Sequence, residues 1–272
     1  ALTQNQSILI VGDFDADGAT SCALMIEGLR SMGATNTNYL VPDRFRFGYG
    51  LTPEIVKVAQ QFSPDLIVTV DNGISSIEGV DFANSLGINV LITDHHLPGA
   101  TLPAAAAIVN PNQPGCDFPS KNLAGVGVAF YLLSVVRSQL REARWFVDRP
   151  EPKLSGLLDL VAIGTVADVV PLDQNNRRMV NEGLRRMRRA QCRPGVLALA
   201  EVAGCDRLNM TSRDIAFALA PRLNAAGRLE DMSIGIECLL AKDERAYELA
   251  RALDQLNTER KEIESGMREE AE

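Results

Sequence analysis

The chain has 272 residues, enough for two domains or one large α/β domain, and its 46% hydrophobic content is that of a globular protein with a real core. No apolar run approaches about 18 residues and no charged-then-apolar leader is evident, so nothing in the sequence reads as a membrane span or secretion signal, and the five scattered cysteines, with no C-x-x-C pair, read as free thiols of a reducing cytoplasm. A net charge of −8 argues against a simple nucleic-acid coat but is compatible with an enzyme whose basic residues are local.

The first stretch, ILIVGDFDADGAT at 8–20, joins an apolar run to aspartates at every second position: Asp13, Asp15 and Asp17. Gly18 and small residues then open a helical pattern over 19–32. An apolar run closed by Gly reads as a buried strand ending in a tight turn. Three carboxylates on one turn repel one another, and more strongly in a cleft, where the effective dielectric is lower. A divalent metal held through oxygen is one compensation. A solvated acidic loop is the other reading.

Apolar runs at 8–11, 38–41, 66–70, 89–93 and 107–109 alternate with helical patterns at 19–32, 53–61 and 76–86. Thr52 before Pro53 is an N-cap followed by Pro at the first helical position. Alternation of this kind predicts an α/β fold: a Rossmann-like, mostly parallel sheet with helices on both faces. Ligands of such sheets sit at the carboxyl ends of the strands. Three of the runs end in metal-type residues: Asp13/Asp15/Asp17, Asp71 in TVDNG, and Asp94-His95-His96 in ITDHH. A parallel sheet collects all of them on one edge.

The Pro-, Asn- and Gly-rich segment 110–123 reads as an ordered surface loop. Apolar helices are expected at 124–138 and 154–170, the second containing Asp168. The segment 175–193 carries Arg177, Arg178, Arg185, Arg186, Arg188, Arg189 and Arg193, which serve either a solvated helix face or phosphate-backbone contacts. Within 211–228 lies PRLNAAGR. Arg222, Asn224 and Arg228 are candidate phosphate clamps there, and the small residues between them leave room for a strand or form a tight turn. From 243 to 272 the chain is strongly charged. Leu249, Leu253, Leu256, Ile263 and Met267 recur at helical spacing, predicting one long amphipathic helix. The expected organisation is a catalytic α/β core over 1–170, a helical continuation over 171–242 and a connecting helix over 243–272 leading to a second domain absent from this sequence.

His95 and His96 are the two histidines of the chain. An adjacent pair directly after an aspartate is hard to explain as packing. Imidazole together with several carboxylates favours Mn²⁺, with Mg²⁺ as the alternative. There are too many carboxylates for one ion, and two ions sharing a bridging carboxylate form the usual clamp for in-line displacement at phosphorus. Arg44, Phe45, Arg46, Phe47 and Tyr49 interleave cations and aromatics, a combination that binds single strands through phosphates and stacked bases, or a loop whose aromatics anchor it to the core.

GDFDADGATS, TVDNGISS, TDHHLPG and GTVADVVPL match in order the four motifs of the DHH phosphoesterases. PDRFRFGYGL, NPNQPGCDFPSKNLAGVGVAF and PRLNAAGRL bring the chain close to the bacterial single-stranded-DNA-specific exonucleases of that family. The resemblance spans residue 8 to about residue 268. It implies Asp15, Asp17, Asp71, His95 and Asp168 as ligands of two Mn²⁺ or Mg²⁺ ions, with Asp71 bridging and Asp13 in or just behind a metal shell. It makes Asp94 and His96 orienting and charge-stabilising groups, and Arg44, Tyr49, Arg222, Asn224 and Arg228 substrate contacts. The implied activity is 5′→3′ release of mononucleotides from single-stranded DNA in recombination and repair, with a single-stranded-DNA-binding protein and a helicase as partners. Longer relatives carry a glycine-rich motif ending in histidine in a second domain, and no such motif occurs here.

Three alternatives remain open at this stage. A DHH phosphatase acting on short oligonucleotides or pyrophosphate usually has a histidine four residues before the first of two aspartates, where this chain has Val11. An aspartyl-phosphate phosphatase needs D-x-D-x-[TV], and the required position after Asp17 is Ala19. The third is a scaffold that binds DNA or replication partners with little or no activity.

Overall fold

The computed structural model describes residues 1–42 and 47–271. Among them is a five-stranded sheet in the order β2-β1-β3-β4-β5, every pair parallel. The strands are β1 (Ile8–Gly12), β2 (Thr37–Leu40), β3 (Leu66–Val70), β4 (Asn89–Thr93) and β5 (Ala107–Val109). Alternate residues of each strand face opposite layers. Ile8, Ile10, Val68 and Val70 join a large core with α1 (Ala16–Ser31), α4 (Gly125–Glu142) and α5 (Leu158–Ala167). Leu9, Val11, Ile67, Val90 and Ile92 join a smaller core beneath α2 (Pro53–Ala59) and α3 (Ile77–Ser85). Fully burying such side chains stabilises the fold by about 1.5–3 kcal/mol each, and it explains why the strands read as continuous apolar runs.

The connection from β1 leads to β2 on one side, and β3 returns to pair with β1 on the other. The crevice between the ends of β1 and β3 is therefore the topological switch point, where α/β sheets bind ligands. Asn72 closes its floor by donating its side-chain amide to the carbonyls of Val11 and Val70.

Helix boundaries differ from the sequence expectation in instructive places. Helix α1 starts at Ala16, three residues before the expected 19, because Asp15 caps it by accepting from the Gly18 amide at 2.9 Å. Asp17 thus sits in the first helical turn. Helix α4 runs one turn past 138, to Glu142. The expected helix over 154–170 is a short 3₁₀ turn at Leu154–Leu157 followed by α5, which stops at Ala167. Beyond it Val169 adopts a left-handed conformation at φ 59°.

The remaining longer helices are α6 (Gln174–Arg188), α7 (Pro194–Val202), α8 (Ala220–Leu229), α9 (Ser233–Leu240) and α10 (Arg245–Ala271). A π-helical turn at Ile215–Leu219 leads into α8. Helix α10 docks through Ala246, Ala250, Leu253 and Leu256, which are buried, while Ile263 and Met267 are exposed. The seam read from the sequence is buried only in its first half. No helix among the described residues is long and apolar enough to cross a membrane.

Candidate metal centre

Four chain segments bring their acids to the switch point. The β1–α1 turn supplies Asp13, Asp15 and Asp17, the end of β3 supplies Asp71, the end of β4 supplies Asp94, His95 and His96, and the end of α5 supplies Asp168. Ligand atoms of Asp13, Asp15 and Asp71 lie within 4.8 Å of one another, as do those of Asp17, His95 and Asp168, and those of Asp71, His95 and His96. Asp71 and His95 each belong to two of these groups.

His95 Nε2 is 3.1 Å from Asp71 Oδ1 and 3.5 Å from Asp168 Oδ2. All three atoms are buried, and none has a hydrogen-bond partner. Buried polar atoms are ordinarily satisfied, so unsatisfied carboxylate oxygens gathered about one unsatisfied imidazole nitrogen fit bound cations. The donor set, carboxylate oxygens with one or two imidazoles, suits Mn²⁺ or Mg²⁺.

The electrostatics agree. Burial, with repulsion from Asp15, pushes the Asp13 carboxyl up to about 7. Burial and the charges of Asp15 and Asp13 raise Asp71 well above the usual carboxylate range. Burial, Asp71 and Asp168 do the same to Asp17, and burial raises Asp168. Carboxylates gathered this closely resist ionising together. Divalent ions remove that penalty.

Local structure holds the ligands in place. Asp17 accepts the amides of Gly125 and Val126 at 2.6 and 3.0 Å, so it also satisfies the N-terminus of α4, which has no side-chain cap of its own. A Cβ at Gly125 would lie 2.6 Å from Asp71 Oδ1, and one at Gly164 would lie 2.5 Å from Asp17 Oδ1. Asp71 itself has φ 62°, an uncommon conformation that Asp tolerates better than most residues.

Asp94 is fully engaged. It accepts from the Ile74 amide, the His95 and His96 amides, and His96 Nδ1 at 2.7 Å. Burial works to raise its carboxyl, but the bonds from His96 and Ile74 outweigh it and hold it below the ordinary value. The same bond to Asp94, opposed by burial, raises the His96 imidazole. His96 is half-exposed, and its ring packs edge-on near Tyr49. The Tyr49 hydroxyl donates to the Asp71 carbonyl at 3.3 Å and lies 3.2 Å from His96 Nδ1.

The residues read as substrate contacts are placed differently from one another. Arg44, with Phe45 and Arg46, lies outside the described residues. Arg222 is committed to Asp254 on α10, at 2.7–2.9 Å, and to the Ala218 carbonyl. Asn224 accepts from the Ala16 amide at 2.8 Å, steadying the acidic turn itself. Arg228 is exposed, 3.6 Å from Glu264. The small residues beside it make room for the chain's own turn, since a Cβ at Gly227 would overlap the Phe14 carbonyl.

Sequence reasoning missed the supports. Asn110 donates to the His96 carbonyl at 2.9 Å and Asn112 to the His95 carbonyl at 2.6 Å. The NPN of the surface loop was the available signal, because short amide side chains commonly satisfy nearby backbone.

Residues 7–165 match the family model described as DHH family, N-terminal domain. The chain is 60% identical over 274 residues to the single-stranded-DNA-specific exonuclease RecJ of Dickeya dadantii, covering 100% of this chain and 48% of that protein. It thus spans about half the length of that curated relative. A crystal structure of exonuclease RecJ bound to manganese is similar with a TM-score of 0.86 at 36% identity, over 98% of this chain and 65% of that one. RecJ from Thermus thermophilus in complex with Mg²⁺ is similar with a TM-score of 0.71 at 32% identity, over 98% of this chain and 34% of that one.

Proposed function

The chain belongs to the DHH family, and we propose that it is the catalytic part of a two-metal exonuclease that digests single-stranded DNA from the 5′ end and releases 5′-mononucleotides. The observation that carries this reading is the convergence of the unsatisfied Asp71, His95 and Asp168 atoms at the switch point. It is supported by 60% identity to a relative named as a single-stranded-DNA-specific exonuclease.

Asp13, Asp15, Asp17, Asp71, His95 and Asp168 would hold Mn²⁺ or Mg²⁺, with Asp71 shared between two ions. When bound, such ions polarise a phosphoryl oxygen and lower the pKa of water. Asp94 fixes the His96 ring through Nδ1, which leaves Nε2 to donate to the scissile phosphate as charge builds on it. The Tyr49 hydroxyl lies beside the same Nδ1, with its ring edge-on near the imidazole. The exposed distal half of α10 supports reading it as a connector to a further domain. A single-stranded-DNA-binding protein and a helicase are the partners this reading entails, and a cytoplasmic setting is its natural compartment.

The test is Mn²⁺-dependent digestion of single strands labelled at either end, with a duplex for comparison. Loss of the 5′ label as mononucleotide from single strands only is the expected result. Attack from the 3′ end, or equal cleavage of duplex, would contradict it.

A further inference from the structure

Most of the basic cluster lies on helix α6, and its arginines differ in their partners. Arg185 is bound to Glu182 at 2.7 Å, and Arg186 lies 3.7 Å from the same carboxylate. Arg188 donates to the Met210 carbonyl. Arg193 is buried between Asp159, at 2.5 Å, and Glu27, at 2.7 Å. These arginines are used up by the fold. Arg177 and Arg178 are exposed and, among the described residues, have no acidic partner within ion-pair distance.

Both line an open cleft of about 480 Å³ with an apolar floor of Leu172, Val180 and Leu184 and polar walls from Gln174, Asn181 and Ser212. The cleft and Asp168 lie on one helical hairpin. Helices α5 and α6 run antiparallel, because a Cβ at Gly183 would meet the Leu158 carbonyl at the start of α5, while Asp168 ends α5 just before α6 begins. At about 1.5 Å per residue, Arg177 and Arg178 stand roughly 8–9 Å from Gly183 toward the Asp168 end of this hairpin. The hinge between the helices is firm: Asp173 caps α6 by accepting from the Asn176 amide, and Ser120 donates to the same carboxylate.

In a chain of net charge −8, two unneutralised guanidiniums on the rim of an open cleft, with three polar side chains around them, form a local anion track. Guanidinium groups bind phosphate bidentately, and Gln174, Asn181 and Ser212 add neutral donors. We propose that the α6 cleft carries the sugar–phosphate backbone of the single strand as it leaves the metal centre, with Arg177 and Arg178 each engaging a phosphate. This rests on the nuclease reading above and extends it to a strand contact that the acidic turn and the DHH loop do not provide.

The test compares the wild type with Arg177→Gln/Arg178→Gln, using anisotropy of a labelled oligothymidylate about 30 nucleotides long, in EDTA to prevent cleavage. The double variant is expected to bind about tenfold more weakly at low salt, and its plot of log affinity against log salt to flatten by roughly 1.4, the slope share of two phosphate contacts on a single strand. Under Mn²⁺, KM for the strand rises by a similar factor while kcat stays within about twofold. Arg185→Gln, which removes an arginine already paired with Glu182, is the matched control and shows no change in salt slope. Circular dichroism verifies that both variants fold, and Arg177→Lys/Arg178→Lys recovers most of the binding. Wild-type affinity and salt slope in the folded double variant would overturn the track alone. Failure of the wild type to digest single strands under Mn²⁺ would instead overturn the nuclease reading of this chain, and the track with it.

Discussion

His95 Nε2 and Asp71 Oδ1 face each other at 3.1 Å across the end of the sheet, both buried and neither hydrogen-bonded. One comes from β4 and the other from β3, so adjacent parallel strands fix their separation. Such an arrangement is costly unless a cation lies between the lone pairs.

The pH dependence of the metal-free chain follows. Burial and Asp15 raise the Asp13 carboxyl from 3.8 to about 7, and burial with the neighbouring acids raises Asp71 and Asp17 in the same direction. A carboxylate raised in the folded state binds more protons there than in the unfolded state, so stability falls as pH rises from about 4 through 7. Denaturant midpoints without metal are expected to be lower at pH 8 than at pH 5. With saturating Mn²⁺, which binds the ionised acids, the order reverses. Midpoints that do not depend on pH without metal would contradict the clustering.

Asp17 has two duties that substitution separates. Asp17→Asn keeps an acceptor for one of the two α4 amides, turns its own NH2 toward the other and removes a buried acid, so the metal-free chain should lose less stability than Asp17→Ala. Asp17→Ala leaves the Gly125 and Val126 amides unpaired and should cost roughly 1–3 kcal/mol. Both should bind Mn²⁺ at least tenfold more weakly. Chemical denaturation and equilibrium dialysis read the two effects independently.

Gly164 lies in a helix, where Ala would ordinarily stabilise by up to about 1 kcal/mol. Here the added Cβ would meet Asp17 Oδ1 and the Thr20 hydroxyl. Gly164→Ala is therefore expected to destabilise by about 1–3 kcal/mol and to weaken Mn²⁺ binding. Gly156→Ala, whose Cβ meets nothing within 4 Å, is the control. Equal melting temperatures for the two variants would show that the glycine is not packed as described.

Val169 follows Asp168 with φ 59° and is 85% exposed. A β-branched residue in that region is strained by roughly 1–2 kcal/mol, and no packing offsets it. Val169→Gly should raise the melting temperature by a few degrees, an effect read by calorimetry. A lower melting temperature would show that the valine has a contact that outweighs its strain.

The fold was legible because the central strands β1 and β3 are buried on both faces and read as nearly unbroken apolar runs, and because Thr52-Pro53 marks a helix start unambiguously. The ligand residues were legible for a related reason. A parallel sheet gathers its strand ends, so Asp71 and His95 could be paired without knowing the strand order. Other features were not. Asp15 and Asp17 are alike in sequence, and only the hydrogen bond from the Gly18 amide shows that Asp15 caps α1 while Asp17 lies inside it. Arg222 and Arg177 are likewise equivalent as residue types. Their difference is that Asp254, distant in the chain, claims the first. Gly125 and Gly164 look like ordinary helix residues until the carboxylates against which they pack are in place.

The most direct test of the account is anomalous diffraction at the manganese edge from crystals of the chain grown with Mn²⁺. Two manganese peaks, both bound by the Asp71 carboxylate and one also by His95, are predicted, with both lost or weakened in Asp71→Asn. A centre without manganese, or ions that do not touch Asp71, would contradict it.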